Sequence, residues 1–521
     1  MWWTSPRARH RSPRKIDEGD LSKSANAEIP GRIVQPGLEM VVEIDPGGAL
    51  DPDLGVPGRI PEEGRLAIEV REMPGLDLTV IPFLWNSDPD SAIIGLVDGM
   101  ARDPDSHALL EETHVLLPVA DIDVTAHAPV ASTSNNGFDL LSQTEAIRVL
   151  EGGGGHYLGM MSGGVTGTSG VAYLPGRSSF SVPSSPTIAH ELGHNMSLGH
   201  APCGGAGGPD PSFPYPNGAI GAWGYDFGRD RLVPTTRKDL MSYCAPTWTS
   251  DYHFTNALGH RLNDEGPSAA AHADGPVRSL LLWGGVDTTG TPFLNPAFVA
   301  GAPPTLPDSA GDYTVTGRDA RGRELFSLSF TMSLALSEEA EVSSFVFVLP
   351  VQPGWADALA RITLSGTAGT ATLDGDSDIP MAILRDPRTG QVRGILRDRS
   401  LQAEAAADAV GVGAPSLEVL IVPPISLDSS LATLPGSKRE EALNVSEYGR
   451  AGFGEEPRAA GRPAEAVERA AEGRGGVAAA AGRGHWRGEP RDPGCAAGAG
   501  AVAAGVPGFF DGNSRTHGTH G

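Results

Sequence analysis

The stretch SSPTIAHELGHNMSLGHAPC, residues 184–203, carries the strongest structural and chemical signal in the chain. Pro186 suits the first turn of a helix, and Ser185 is a candidate N-cap. On that helix His190 and His194 lie one turn apart on the same face, so they can bind one metal ion together. Glu191 lies beside them and points toward the same cleft, although it is not at a ligand position.

A third histidine follows six residues later. A continued helix would carry His200 about 9 Å further along and onto another face. The helix must therefore end, and the chain must turn back, if His200 is to reach the same ion. Ser197 and Gly199 lie in the stretch where that turn is required.

These residue types suit metal-assisted hydrolysis. Three neutral imidazoles leave the fourth position of a zinc ion open for water, which is typical of a catalytic site. Zinc lowers the pKa of its water toward about 7, and a nearby carboxylate can then accept the proton. Glu191 is the candidate base, and it can pass the proton to the leaving amine of a peptide.

HELGHNMSLGH resembles the metzincin signature H-E-x-x-H-x-x-G-x-x-H of zinc endopeptidases, and DLMSYC at 239–244 resembles the Met-turn of that clan. The resemblance implies that Met241 forms a hydrophobic floor under His190, His194 and His200. The M-S-Y form is similar to serralysins, which implies that Tyr243 ligates zinc or stabilises the oxyanion; an ordinary packed tyrosine is the alternative.

Two positions depart from the clan pattern. The usual glycine is Ser197 here, so either the serine adopts a left-handed conformation, at about 1 kcal/mol, or the turn shifts to Gly199. The residue after the third histidine is Ala201, which is not the residue typical of astacins, serralysins or reprolysins at that position. The sequence therefore predicts a member of the metzincin clan, with reprolysin-like and secreted mucin-targeting metalloproteases as more distant relatives.

The cysteines are few. Cys203 follows His200 by three positions, and Cys244 follows Met241 by three. A disulfide between them would hold these two segments together and would imply an oxidising, exported location. Two free buried thiols are the alternative. Cys495 receives no role.

Working outward, the pattern predicts four segments. Residues 1–75 are predicted to form short β-strands, with the remnant of a larger domain as one interpretation, and 76–270 an α+β metzincin-like catalytic domain with a twisted sheet and helices. Residues 271–436 indicate an all-β sandwich, and 437–521 a low-complexity, disordered tail, for which an aberrant C-terminus is the alternative.

The clan resemblance also implies a substrate cleft. An extended peptide would lie antiparallel to a lower edge strand, for which VAYLPG at 171–176 is the candidate. Trp248 and Tyr252 are candidates for the wall of the pocket that takes the first residue after the cut, with core packing as the alternative.

Charge and composition exclude some functions. The chain has 64 acidic and 39 basic residues and a net charge of −25, which argues against nucleic acid as a partner. No apolar run is long enough for a bilayer span. DGDSD offers Asp374, Asp376 and Asp378 as possible calcium ligands, but it lacks the EF-hand pattern, and a solvated turn is favoured.

Together these features predict a secreted zinc endopeptidase that acts on extracellular proteins or glycoproteins. The basic start, MWWTSPRARHRSPRK, does not resemble a secretory signal, so export by another route or an incomplete N-terminus is expected. The alternative is a non-enzymatic adhesion or binding protein with a degenerate protease domain. The sequence leaves the subfamily, cleavage specificity, sandwich role, pro-region and oligomeric state open.

Overall fold

The fold is taken from a computed structural model. It describes residues 19–23, 29–265, 276–307, 310–337, 340–355, 358–377 and 381–397, with short strands at 418–422, 425–426 and 431–433. The predicted tail at 437–521, together with Cys495, lies outside the described residues, as does Asp378.

The site rests on a mixed sheet built around one long buried strand. This strand, LDLTVIPFLW, alternates its apolar residues between two cores, with Leu78 and Val80 on one face and Ile81 and Phe83 on the other. The strands of this sheet are β5 (Leu76–Trp85), β6 (Ile122–Ala126), β7 (Val130–Ser132), β8 (His156–Met160), β9 (Gly170–Leu174) and β10 (Ser178–Ser181). The long strand is β5, and β6, β7 and β8 pair with it in parallel fashion. β10 runs parallel to β8, and β9 runs antiparallel to β10.

Helices cover both faces of this sheet. Buried residues of α1, α2 and α4 share one core, and α3 packs in the core on the opposite face. Asn136 caps α3 by accepting a hydrogen bond from the Phe138 amide, and Gly152 ends it at φ 70°. The helices are α1 (Ala92–Arg102), α2 (Glu111–Leu116), α3 (Gly137–Glu151), α4 (Ser185–Asn195) and α5 (Asp251–Asp264).

The region between α4 and α5 has little regular structure. Its two small sheets pair β11 with β12 in antiparallel fashion and β13 with β14 in parallel fashion. The strands are β11 (Gly224–Asp226), β12 (Arg231–Val233), β13 (Lys238–Asp239) and β14 (Thr247–Trp248).

The following region is rich in strands and forms two layers. A four-stranded sheet in the order β19-β18-β22-β23 packs on β15, β17 and β21 through an apolar core that includes Leu282, Phe330 and Ile362. The strands are β15 (Val277–Val286), β16 (Pro292–Leu294), β17 (Ala297–Ala302), β18 (Tyr313–Asp319), β19 (Glu324–Phe330), β20 (Ser333–Ser337), β21 (Glu341–Pro350), β22 (Leu359–Gly366) and β23 (Gly369–Asp374).

One of these layers continues into the sheet that carries the site. The large sheet runs β27-β17-β15-β21-β20-β9-β10-β8-β5-β7-β25-β24-β26-β28, so the later strands extend it at both ends. The remaining strands are β24 (Met381–Arg385), β25 (Val392–Leu396), β26 (Glu418–Val422), β27 (Ile425–Ser426) and β28 (Leu431–Thr433). The expectation that 171–176 is a free sheet edge is wrong, because β20 pairs with β9.

The N-terminal segment is built from short strands. Its two-stranded sheets pair β1 with β4 and β2 with β3, and Val42 and Ile60 are exposed. The strands are β1 (Glu39–Met40), β2 (Val42–Glu43), β3 (Arg59–Ile60) and β4 (Leu66–Ala67). Within the described part of the chain, none of the helices has the length and apolar character that spanning a membrane requires.

Candidate metal centre

The histidine helix begins one residue earlier than its sequence suggests. Ser184, in extended conformation, is the N-cap of α4, and Pro186 lies in the first turn. Ser185, the expected cap, is the first helical residue. Its Oγ accepts a hydrogen bond from the Glu112 amide at 3.1 Å and so ties α4 to α2.

A left-handed residue ends the same helix. Ser197 has φ 71°, its amide donates to the His194 carbonyl at 2.9 Å, and the Leu198 amide donates to the Gly193 carbonyl at 3.1 Å. This pair of bonds is the Schellman motif. Ser197 therefore takes the conformation that glycine would adopt more easily, and the turn does not shift to Gly199.

The turn brings the third histidine back to the first two. One ring nitrogen from each of His190, His194 and His200 lies within 4.8 Å of the others. Both His190 and His200 have ring centroids 4.7 Å from the His194 ring, and they lie 5.5 Å from each other. This is the one metal-ligating group of three or more side chains among the described residues.

Backbone carbonyls orient all three rings. The three Nδ1 atoms lie 2.9, 2.7 and 2.6 Å from the carbonyl oxygens of Leu240, Leu198 and Gly207, respectively. Because a carbonyl only accepts, each Nδ1 carries the proton and each Nε2 keeps its lone pair. The three imidazoles are therefore set in the tautomer that binds a metal through Nε2.

Burial keeps these rings neutral. Burial and, to a smaller extent, the nearby His200 lower the pKa of His190 to about 4, although the hydrogen bond to the Leu240 carbonyl raises it. The pKa of His194 is also far below its usual range, first because of burial and then because of the two neighbouring histidines. Burial likewise lowers the pKa of His200. Neutral imidazoles are the form that ligates a metal.

The donor set suits a zinc ion. His194 is fully buried, and its Nε2 has no hydrogen-bond partner in the described part of the chain. A buried polar atom without a partner costs about 1–3 kcal/mol, so its position facing two other imidazoles calls for a ligand. Three imidazole nitrogens are a known zinc-binding set with one open position.

Glu191 lies beside this group and is 2% exposed. A Cβ atom on Gly170, the first residue of β9, would overlap Glu191 Oε1. The glycine therefore leaves the space that the carboxylate occupies. Sequence reasoning missed Gly170, because its role depends on a contact between β9 and α4.

The turn that carries Met241 lies directly under α4. Met241 is fully buried, and a Cβ atom on Gly193 would be 2.7 Å from its sulfur. Gly193 therefore permits the close approach of the methionine to the helix between the two histidines. The Ala201 amide donates to the Met241 carbonyl at 2.9 Å, which fixes the turn beside His200.

A buried carboxylate without a local sequence signal, Asp239, holds the turn that carries Met241. Asp239 Oδ1 accepts from the Met241 amide at 2.8 Å and lies 2.8 Å from His253 Nδ1. Its Oδ2 accepts from the Ser250 amide at 2.9 Å, so the same side chain anchors the start of α5. Burial raises the pKa of Asp239, but the bonds from His253, Ser250 and Met241 outweigh it and lower the pKa overall.

Tyr243 lies at the rim of the histidine group. Its hydroxyl is 2.9 Å from His200 Nε2 and donates to the Ser337 carbonyl at 3.1 Å. The tyrosine and His200 rings are 5.0 Å apart. Ser337 comes from β20, 94 positions further along the chain, so no local sequence signal could have identified it.

The predicted disulfide is present. Cys203 and Cys244 are bonded, with their Cα atoms 5.7 Å apart. The Tyr243 amide also donates to the Cys203 carbonyl at 3.1 Å. Together these links hold the segment after His200 against the segment after Met241.

The two aromatic candidates for a pocket wall make packing contacts. Trp248 is half-buried against the core around α4, and its indole lies against Gly224. The Tyr252 hydroxyl donates to Asp210 Oδ2 at 2.7 Å, and its ring lies 5.7 Å from that of Phe213.

Of the candidate calcium ligands in DGDSD, Asp374 and Asp376 are described and Asp378 lies outside the described residues. Asp374 Oδ1 accepts from the Asp376 amide at 3.2 Å and from the Ser377 hydroxyl at 3.2 Å, which is the pattern of a turn. These contacts indicate a local structural role for the Asp374 carboxylate.

A comparison with protein families agrees with this geometry. The family model Peptidase M66 matches residues 140–255, which run from within α3 to the start of α5 and include the three histidines, Glu191, Met241 and Tyr243. No curated protein matches the chain. The match supports a metallopeptidase family and a hydrolase that acts on peptide bonds. The mixed fold is compatible with a peptidase domain followed by a β domain.

Proposed function

We propose that this protein is a zinc-dependent endopeptidase of the metzincin type. In this proposal His190, His194 and His200 bind the metal and Glu191 is the general base. The observation that carries the proposal is the convergence of one ring nitrogen from each of the three histidines, with Glu191 one residue after the first of them on the same helix. The Peptidase M66 match over this segment supports the same chemistry.

Zinc, when bound, would polarise the peptide carbonyl and acidify a water molecule. The carboxylate of Glu191 would accept the proton of the attacking water and deliver it to the amine that leaves. The buried position of this side chain supports the role, since a proton carrier has to be held close to the reacting atoms.

Tyr243 is proposed to stabilise the oxyanion. Its hydroxyl lies 2.9 Å from His200 Nε2, at the rim of the space between the histidines. When it turns away from the Ser337 carbonyl, the single proton of this phenol can hydrogen-bond the negative charge that develops on the carbonyl oxygen of the substrate.

The substrates are proposed to be extracellular proteins or glycoproteins. The disulfide between Cys203 and Cys244 supports an oxidising compartment, because such bonds persist outside the cytosol. A non-enzymatic binding protein with a degenerate protease domain is the alternative, and a misformed turn at Ser197 would favour it. The left-handed Ser197 closes that turn, which weakens the alternative.

Replacement of the base tests the proposal most directly. Glu191→Gln keeps the volume and the hydrogen-bonding capacity of the side chain but cannot accept the proton. We expect about one zinc per chain in both proteins and a loss of casein or mucin-like glycoprotein cleavage by about 10³-fold in the variant.

Metal analysis and a zinc chelator complete the experiment. Chelation should abolish cleavage by the unsubstituted protein, and added zinc should restore it. Equal turnover by Glu191→Gln and the unsubstituted protein would remove Glu191 from the mechanism.

A further inference from the structure

A strand from the C-terminal region covers the sheet edge beside the metal centre. β20 pairs antiparallel with β9, with Leu334 opposite Leu174 and Ser337 opposite Val171. Val171 directly follows Gly170, the residue against which Glu191 packs. The covered part of β9 therefore begins at the catalytic carboxylate and extends away from it.

The direction of β20 matches that of a bound peptide. The strand runs toward the metal centre, and its last residue, Ser337, accepts the hydrogen bond from Tyr243. A peptide added antiparallel to β9 would run the same way, with the residues before the cut bond paired along this edge. β20 thus occupies the place of those substrate residues.

The strand is also built into the surrounding structure. On its other side it pairs with β21, which in turn pairs with β15 from Ser279 to Val286. Ala335 is fully buried in the same apolar core as Tyr173. The Tyr173 hydroxyl is 2.6 Å from Ser344 Oγ on β21, a side-chain link between the two regions.

We infer, on the basis of the proposed function, that β20 is a fixed wall that fills the strand-addition site of the protease. Substrate residues before the cut then gain no main-chain pairing with β9. The substrates are polypeptides that are recognised through residues after the scissile bond. An extended segment before that bond adds little to kcat/KM.

A crosslink between the two strands distinguishes a fixed wall from a strand that has to leave. Leu174 and Leu334 face each other, and both are half-buried. The variant Leu174→Cys/Leu334→Cys should form a disulfide there, located by peptide mass mapping. We expect kcat/KM of the crosslinked protein to stay within about twofold of that of the single variant Leu174→Cys.

The opposite result would overturn the inference. Loss of cleavage on crosslinking, with recovery on reduction, would show that β20 is displaced during turnover. Unsubstituted protein treated with the same reductant controls for the bond between Cys203 and Cys244.

A peptide series measures the consequence for the substrate. Lengthening the part before the cut from two to five residues should change kcat/KM by less than about threefold, whereas the same extension after the cut should raise it by more than about tenfold. A gain above tenfold from residues before the cut would contradict the inference.

Hydrogen exchange provides a readout that does not need turnover. The amides of β9 and β20 should exchange as slowly as those of β5, since all three belong to one sheet. Fast exchange confined to β20 would overturn the fixed wall even in an active protein. Slow exchange without cleavage of any substrate in any form would instead overturn the proposed function, and with it the inference about substrates.

Discussion

Two kinds of buried histidine site lie in the described part of the chain. At the metal centre, His190, His194 and His200 turn toward one another, and their Nδ1 atoms are bonded to backbone carbonyls. Elsewhere, buried histidines face carboxylates across 2.7–3.0 Å. The carboxylate pairs are His127 with Glu151, His156 with Glu265 and His253 with Asp239.

The difference lies in what each ring faces: a carboxylate in one kind of site and other imidazoles in the other. A carboxylate partner supplies the hydrogen bond and charge that a buried imidazole needs, so such a pair stabilises the fold without a ligand. Three imidazoles that face one another supply neither, and a shared cation is the simplest way to satisfy them. Burial alone therefore does not mark a functional histidine.

The largest expected effect comes from removal of a ligand. His194→Ala should weaken zinc binding by more than about 100-fold and abolish cleavage, because two imidazoles hold zinc poorly. His156→Ala, taken from the other kind of site, should keep zinc and lose stability instead. Metal content after dialysis and denaturation midpoints separate the two results, and equal zinc loss in both variants would remove the distinction.

The next largest effect concerns Asp239 and His253, the buried pair beside the turn that carries Met241. Asp239→Ala leaves His253 and the amides of Met241 and Ser250 without their acceptor, which should lower the free energy of unfolding by about 3–5 kcal/mol. Urea unfolding, followed by tryptophan fluorescence, measures the change. The substitution Asp374→Ala, in a surface turn, is the control and should cost less than about 1 kcal/mol.

Acid should destabilise the fold through the pair of His156 and Glu265 at the end of α5. Burial alone raises the pKa of Glu265, but the hydrogen bond from His156 and the charge of Arg261 outweigh it and lower the pKa from 4.5 to about 2. The folded state thus holds this carboxylate ionised more strongly than the unfolded chain does. Its contribution, about 3 kcal/mol, is present above pH 4.5 and is lost as the pH falls toward 2.

Glu265→Gln tests that assignment. The variant should be less stable at pH 7, and its stability should fall less steeply than that of the unsubstituted protein as the pH falls below 4.5. Parallel stability curves for the two proteins in that range would contradict the pKa shift.

The smallest effect is a stabilisation at the metal centre. Ser197 adopts φ 71°, where glycine has no steric penalty. Ser197→Gly should therefore raise the free energy of unfolding by about 1 kcal/mol with zinc content unchanged. Ser197→Ala keeps the strain and is the matched control; an equal gain in both variants would show that the backbone conformation is not the cause.

Much of the metal centre was predictable because its signals are local. The spacing of His190 and His194 places both on one helical face, and the three-residue offsets of Cys203 and Cys244 suggested the disulfide that the structure contains. The need for a turn before His200 also followed from helix geometry. The N-cap was displaced by one residue, since neighbouring serines at 184 and 185 carry the same signal.

By itself, the sequence determined which residues can ligate and where the helix that carries two of them lies, because a helix is set by contacts between near neighbours. Only the tertiary structure decided that β20 covers β9, that Asp239 and His253 hold the Met-turn, and that Ser197 takes the left-handed conformation. Strand pairing and buried polar contacts join residues far apart in the chain. A strand pattern shows which face of a strand is apolar but not which strand lies beside it.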